Sequence, residues 1–440
     1  MIASTMAVEG EETRAPRADY LLFTLTAACL LSFVDRFTLN VLLGAIKSSM
    51  QLSDTQISLL VGFAFSAFYS VMAMPFGWAV DKWNRRNLIL AGLLLWSMAT
   101  AASGLATTFG QLLTARTFVG IGEATLMPAA YSMLADAFPA RERGRAFGIF
   151  STAVYAGGGV ALVLGGALLA FAADLVKTIP ALAKFEPWHL VLLMIGSGGI
   201  PMAALMLVTA EPVRRAVAGA GVQGTSLMRH VWRHRAPFFW VLVVYTLYTY
   251  VTYAVLPWAP TVVARKFGLG PAAAGLTIGF VTLIGGIIGA SVGGVLSDHW
   301  IRRNARGGRL RATLIWWFGA LVAIPYFAIA PTVSGAAVGY LGFIFFDSVG
   351  YVSMSAVFQD MVPPALRGRV TSFWYVVTYI GAGVGPLATG LLTDHWFASP
   401  AALPQAIIWA SVPIVVIGFF CSLRALPLYD AMRARPPGEL

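Results

Sequence analysis

The chain has 440 residues, of which 58% are hydrophobic and 11% charged, and it carries a net charge of +11. Soluble proteins carry about 25% charged residues, so the composition excludes a water-solvated globule and makes the bilayer the natural solvent. Nucleic-acid binding is excluded by where the charge lies: of the 30 Lys and Arg, 23 fall in the termini and alternate loops, five in the other loops, and two, Arg36 and Arg116, inside helices. That asymmetry is the positive-inside pattern of a multi-pass membrane chain.

Twelve apolar runs of about 20 residues or more follow in order, near 19–46, 54–80, 86–106, 108–138, 141–172, 188–210, 237–264, 270–300, 308–330, 333–361, 364–397 and 402–426. They predict an all-α membrane protein with twelve transmembrane helices in two pseudo-symmetric six-helix bundles. The expected organisation is an N-terminal tail at 1–18, a first bundle at 19–210, a linker at 211–236, a second bundle at 237–426 and a C-terminal tail at 427–440. Charge asymmetry places both termini in the cytoplasm, in a plasma or inner membrane. The linker, with Arg214, Arg215, Arg229, Arg233 and Arg235, reads either as a short basic helix on the membrane surface, using Leu227, Val231 and Trp232 as its apolar face, or as a solvated loop. Cys29 and Cys421 have no metal-like spacing, and neither a metal nor a cofactor is expected.

A fixed offset reveals a repeat. Asp136, Pro139, Arg143, Gly144 and Arg145 return as Asp360, Pro363, Arg367, Gly368 and Arg369, each 224 positions later, and the same offset carries Glu123 onto Asp347. Gly77, Asp81 and Arg85 recur with a slightly shorter offset as Gly294, Asp298 and Arg302. Two homologous six-helix halves are the plan of a carrier whose site lies between them and opens to each side in turn. In that plan Gly77, Asp81, Arg85, Arg86, Asp136, Arg143, Arg145, Asp298, Arg302, Asp360, Arg367 and Arg369 form a cytoplasmic latch, the glycine allowing close helix approach and the charges pairing with helix ends.

Five stretches carry a family resemblance: residues 32–38 (SFVDRFT), 77–86 (GWAVDKWNRR), 116–124 (RTFVGIGEA), 136–145 (DAFPARERGR) and 211–214 (EPVR). The chain resembles the major facilitator superfamily and, within it, the spinster-like lipid transporters. The resemblance implies a secondary carrier, coupled to protons, for lysophospholipids, sphingoid phosphates or related amphiphilic anions. It also implies that Asp35, Arg36, Arg116 and Glu123 are functional. The runner-up function is a symporter or antiporter of small organic anions or drug-like solutes.

Buried charge supports this independently, because each charge at the centre of a spanning helix costs roughly 2.5–3.5 kcal/mol. Arg116, Gly120 and Glu123 share one face of helix 4, with Gly120 leaving room between charges that lie about 10 Å apart along the axis. Asp35 and Arg36 reach a comparable depth on helix 1, so pairing across a cavity is feasible. In the expected mechanism Asp35 and Glu123 carry protons, while Arg36 and Arg116 bind the anion through their planar donor fork. An ionised carboxylate competes for Arg116, and a protonated one releases it; permanent ion pairs that only hold helices together are the alternative. Asp347 either tunes the cavity or hydrogen-bonds Ser348 or Tyr351. Tyr248, among the tyrosines of helix 7, either lines the cavity or packs. The expected partners are the amphiphilic substrate, protons and membrane lipids, with the carrier a monomer.

One motif misleads. Gly289-Ala290-Ser291-Val292-Gly293 matches a hydrolase nucleophile elbow, which needs a strand-to-helix turn, whereas Gly285, Gly289 and Gly293 recur every four residues as a helix-packing ridge.

Overall fold

The computed structural model describes residues 14–214, 227–303, 305–363 and 366–433; the side chains of Arg367 and Arg369 lie outside the description, as do residues 215–226 of the expected linker and the ends of both tails. Among the described residues ten helical stretches are long and apolar enough to cross a membrane: Ala18–Met50, Asp54–Lys82, Glu142–Thr178, Pro187–Val208, Arg235–Phe267, Pro271–Arg302, Gly308–Ile329, Val333–Asp360, Val376–Trp396 and Pro400–Arg433. A helix satisfies its own backbone polar groups, which an apolar solvent cannot do. The two remaining expected runs are also helical. One is α4 (Arg85–Ser103) and the other is broken into α5 (Phe109–Glu123) and α6 (Leu126–Ala137).

Local signals set the helix starts. Ser53 caps α2 (Asp54–Ser58) in a full capping box with Gln56, and the Asn84, Thr108 and Thr332 side chains each accept the backbone N–H three residues on, as N-caps do. A π-helical turn at Leu59–Phe63 joins α2 to α3 (Ala64–Lys82). The last helix, α17 (Leu403–Arg433), runs through Pro427, seven residues past the expected end of the second bundle. Tyr429 Oη donates to Asp360 at 2.7 Å and Asp430 accepts the Gly307 N–H at 2.5 Å, so tertiary bonds outweigh the proline signal.

In the first sequence half α1 (Ala18–Met50) packs on α7 (Ala140–Thr178), α3 on α5, and α4 on α5 and α8 (Pro187–Ser197), which α9 (Gly199–Val208) continues. After the short α10 (Leu227–Arg233), the second half packs α11 (Arg235–Val255) on α16 (Arg367–Leu391) and α17. It also packs α15 (Val333–Asp360) on α13 (Pro271–Arg302) and α14 (Arg311–Ile329). The glycine ridge of α13 meets α15, a Cβ on Gly289 falling 2.3 Å from the Phe345 carbonyl oxygen. Ser291 Oγ bonds the Ile287 carbonyl of its own helix. Two seams join the halves, α3 with α16 and α7 with α13.

The end remote from the termini is fastened across the halves. Asp54, fully buried, accepts Lys47 Nζ at 2.5 Å and both Nη atoms of Arg265, on α12 (Ala259–Phe267), at 2.7 and 2.8 Å. Asp394, from the second half, accepts the N–H of Asp54 at 3.1 Å and that of Thr55 at 2.6 Å. A carboxylate at a helix N-terminus satisfies donors the helix leaves open.

The α11–α16 contact needs Gly381, where a Cβ would lie 2.2 Å from the Thr246 carbonyl oxygen. Gly381→Ala is expected to destabilise the protein by about 1–3 kcal/mol, read as a lower unfolding temperature in detergent. Gly148→Ala, inside α7 and with nothing within 4 Å of the added Cβ, is expected to hold or slightly raise that temperature, because alanine suits a helix interior better than glycine.

Candidate transport site

The site begins where long side chains of α1 and α5 meet. Adjacent residues on a helix point about 100° apart, so Asp35 and Arg36 face different neighbours. Asp35, 2% exposed, turns into the first half, accepting the Thr100 hydroxyl and, at 3.2 Å, Nη1 of Arg116. Arg36 turns toward the second half. Its Nε and Nη2 donate to Glu123 Oε2 at 3.2 and 2.5 Å, and its Nη1 to Tyr379 Oη at 3.4 Å. The guanidinium lies 4.1 Å from the Phe65 ring centroid, 5.1 Å from Phe33 and 5.5 Å from Tyr69, distances at which ring faces attract a cation.

The two residues of α5 therefore do not pair with each other. They pair crosswise, Arg116 with Asp35 and Glu123 with Arg36, so the expected competition of Glu123 for Arg116 is corrected: its arginine is Arg36. Gly120 serves a different purpose from the expected spacing of charges. A Cβ there would lie 2.9 Å from the Phe65 carbonyl, so its bareness lets α3 bring Phe65 against Arg36. The helix breaks directly after Glu123, at Ala124 and Thr125, where Thr125 Oγ1 bonds the Gly122 carbonyl at 2.8 Å.

A narrow recess lies beside the outer pair, lined by Ser32, Phe33, Arg36, Tyr69, Glu123, Leu126, Met127, Tyr351 and Tyr379. Glu123 Oε1 is buried without a hydrogen-bond partner among the described residues. Arg116 and Tyr248, expected to bind substrate, do not line the recess. Arg116 is 1% exposed behind Asp35. Tyr248 is buried against Trp316, its hydroxyl donating to the Asp347 carbonyl at 2.6 Å. Asp347 is outside the recess too. Its carboxylate accepts from Thr252 at 2.6 Å, a partner on α11 rather than the expected Ser348 or Tyr351.

The latch residues divide. Arg85, 1% exposed, donates to Asp136, to Ser132 at 2.9 Å, to Glu211 at 2.7 Å and to the Pro212 carbonyl at 2.9 Å, and Glu211 also accepts the Arg86 N–H at 2.8 Å. Its counterpart is Arg309, which holds Asp360 at 2.9 Å and lies 224 positions after Arg85. The expected match to Arg302 is corrected, and Arg302 is exposed, as are Asp81, Arg145 and Asp298. Added Cβ atoms on Gly77 or Gly294 meet nothing within 4 Å, so no close approach occurs there. Among the described residues Arg143 reaches the Phe138 carbonyl, at 3.5 Å. Arg214, unassigned from sequence, caps the end of α3 through the carbonyls of Val80, Asp81 and Trp83.

Residues 25–346 match the model of the Major Facilitator Superfamily. The chain belongs to this superfamily. Among its superfamily relatives are an MFS-type efflux pump of Mycolicibacterium smegmatis, 26% identical over 400 residues that cover 89% of this chain and 88% of the relative, and Protein spinster homolog 1 of Homo sapiens, 27% identical over 406 residues that cover 86% and 74%. The fold is similar to the crystal structure of a bacterial homolog of the human lysosomal transporter Spinster in an inward-facing, unoccupied conformation, with a TM-score of 0.79, 24% identity, and 96% and 98% coverage. The chain is thus a multi-pass membrane transporter of the superfamily, and not an enzyme, and it is similar to the spinster proteins.

Breaking one member of a buried ion pair leaves the other charge uncompensated, at a cost of about 3–5 kcal/mol. Arg116→Met alone is expected to lower the thermal stability of the purified protein by that order, and Asp35→Asn with Arg116→Met to recover most of the loss.

Proposed function

We propose that this transporter works by alternating access and couples protons to the movement of an amphiphilic anion such as a lysophospholipid or sphingoid phosphate. The observation that carries the proposal is the Arg36–Glu123 pair at the wall of a recess between the halves, with one Glu123 oxygen unpartnered. In the proposed architecture twelve helices cross the membrane as two six-helix bundles, 19–210 and 237–426, with 211–236 linking them and the tails 1–18 and 427–440 in the cytoplasm. The carrier acts as a monomer.

An ionised Glu123 occupies two donors of Arg36. A proton on Glu123 removes that charge, and the guanidinium fork becomes available to a phosphate or carboxylate headgroup. Asp35 and Arg116 form the inner pair, which ties α1 to α5 and takes part in proton binding through Asp35. Around the Arg36 guanidinium, Phe33, Leu126 and Met127 supply an apolar wall for the first carbons of a chain, and the recess widens to admit headgroup and chain as the halves rock apart. The same charges would also serve a small organic anion, and this is the second reading. Arg85 with Asp136 and Arg309 with Asp360 act as the paired hinges of the cytoplasmic side, where Asp81 and Asp298 engage when the carrier faces outward.

Glu123→Gln in proteoliposomes is expected to cut uptake driven by an inward proton gradient by at least about 100-fold, while downhill exchange and thermal stability persist. Unchanged gradient-driven uptake would contradict the coupling. Competition by lysophosphatidate but not by short dicarboxylates selects the lipid reading, and the reverse selects the small anion.

A further inference from the structure

Four contacts run in order along the seam that α2, the π-helical turn and α3 make with α16, starting at the end remote from the termini. Ser58 Oγ donates to the Pro386 carbonyl at 2.8 Å. Gly62 lies under Pro386, where a Cβ would be 3.0 Å from its ring, and Gly383 faces Ser66 and Phe63. Last, the rings of Tyr69 and Tyr379 stack with centroids 5.0 Å apart and planes 13° from parallel. Steps of three or four residues keep such contacts on one helix face. The α7–α13 seam closes in the same direction, with Gly166 on Ala272, Gly279 on Val163 and Gly159 on Leu283. Tyr69 and Tyr379 both line the recess, so among the described side chains their stack is the innermost rung of the wall that shuts the recess from the remote end.

That rung is tied to the charge site by one rigid group. Arg36 holds Glu123 with one edge of its guanidinium and Tyr379 with another, so a rotation that frees the first edge also withdraws the second. At 3.4 Å the bond to Tyr379 is near the long limit for a hydrogen bond, and a small displacement breaks it. Phe65 and Tyr69 fix the plane of the guanidinium from the first half.

Granting the proton-coupled function proposed above, we infer that Tyr379 is a positioning residue that reports the pairing state of Arg36 to the second half: Arg36 held by ionised Glu123 keeps the Tyr69–Tyr379 rung shut, and protonation of Glu123 releases it. The ionisable groups facing Arg36 and Glu123 are Cys29 and Asp35 on α1, Tyr69 on α3, Tyr253 on α11 and Tyr379 on α16, with Tyr351 on α15 across the recess. Asp35 is already held by Arg116, which leaves Glu123 as the carboxylate whose proton changes the grip on Arg36.

The test needs no substrate. Spin labels at Ser48 and Ala401, both exposed and on opposite halves at the remote end, report opening in a Cys29→Ala, Cys421→Ser background reconstituted in nanodiscs. The parent protein is expected to raise its open-to-closed ratio several-fold on acidification from about pH 8 to about pH 4. Tyr379→Phe keeps the ring stack and loses only the hydroxyl. It is expected to raise the ratio at the higher pH and to reduce the pH response to less than about twofold. If that variant does not fold, Tyr69→Leu, which removes the other face of the stack, is expected to flatten the response in the same way. A full pH response in Tyr379→Phe, or in Tyr69→Leu where it stands in, overturns the role of Tyr379. If Glu123→Gln loses the response while Tyr379→Phe keeps it, only this inference falls. A parent protein with no pH response removes the proton-coupled function itself.

Discussion

Two charges on neighbouring residues of one helix cannot share a neighbour, and the architecture of the site follows from that constraint. Asp35 and Arg36 diverge by about 100° around α1. One is taken inward by Arg116 and Thr100, the other outward by Glu123 and Tyr379. Because Arg116 and Glu123 lie two turns apart on α5, each finds its partner at a different depth, and the inner pair braces the outer one. Buried ion pairs contribute little net stability, so the retention of two between α1 and α5 favours a use in which charge moves.

The repeat makes the asymmetry of the halves informative. At the offset of 217 that relates the first helices of the halves the positions matching Asp35 and Arg36 are Thr252 and Tyr253, at 224 the position matching Arg116 is Tyr340, and only Glu123 keeps an acidic counterpart, Asp347. The second half thus retains the scaffold, including Arg309 with Asp360 in place of Arg85 with Asp136, while the charge chemistry is concentrated in the first. Its contribution to the recess is aromatic, through Tyr351 and Tyr379. This division suits a carrier in which one half senses charge and the other moves against it.

Much of this was legible in the chain. Apolar runs predicted the helices because the bilayer imposes length and composition together, and the membrane cost of charge singled out Asp35, Arg36, Arg116 and Glu123. Pairing was not legible: spacing within α5 shows that Arg116 and Glu123 share a face but says nothing about which residue of α1 approaches each. Tyr69 and Tyr379 were hidden among many aromatic residues, any of which packs as readily as it gates. Arg309 was available at the repeat offset and was displaced by the nearer Arg302, whose motif looked more complete. The clasp of Asp54, Arg265 and Asp394 was missed because charges at helix ends read as solvated, and only tertiary packing buries Asp54.

The central claim is that an anionic headgroup and Glu123 exchange the same guanidinium. Its most direct test is the proton balance of binding, measured by a pH indicator dye when lysophosphatidate is added to the purified protein in weakly buffered detergent near neutral pH. The account predicts uptake of about one proton per bound headgroup, abolished by Glu123→Gln. Saturable binding with no proton uptake would contradict it.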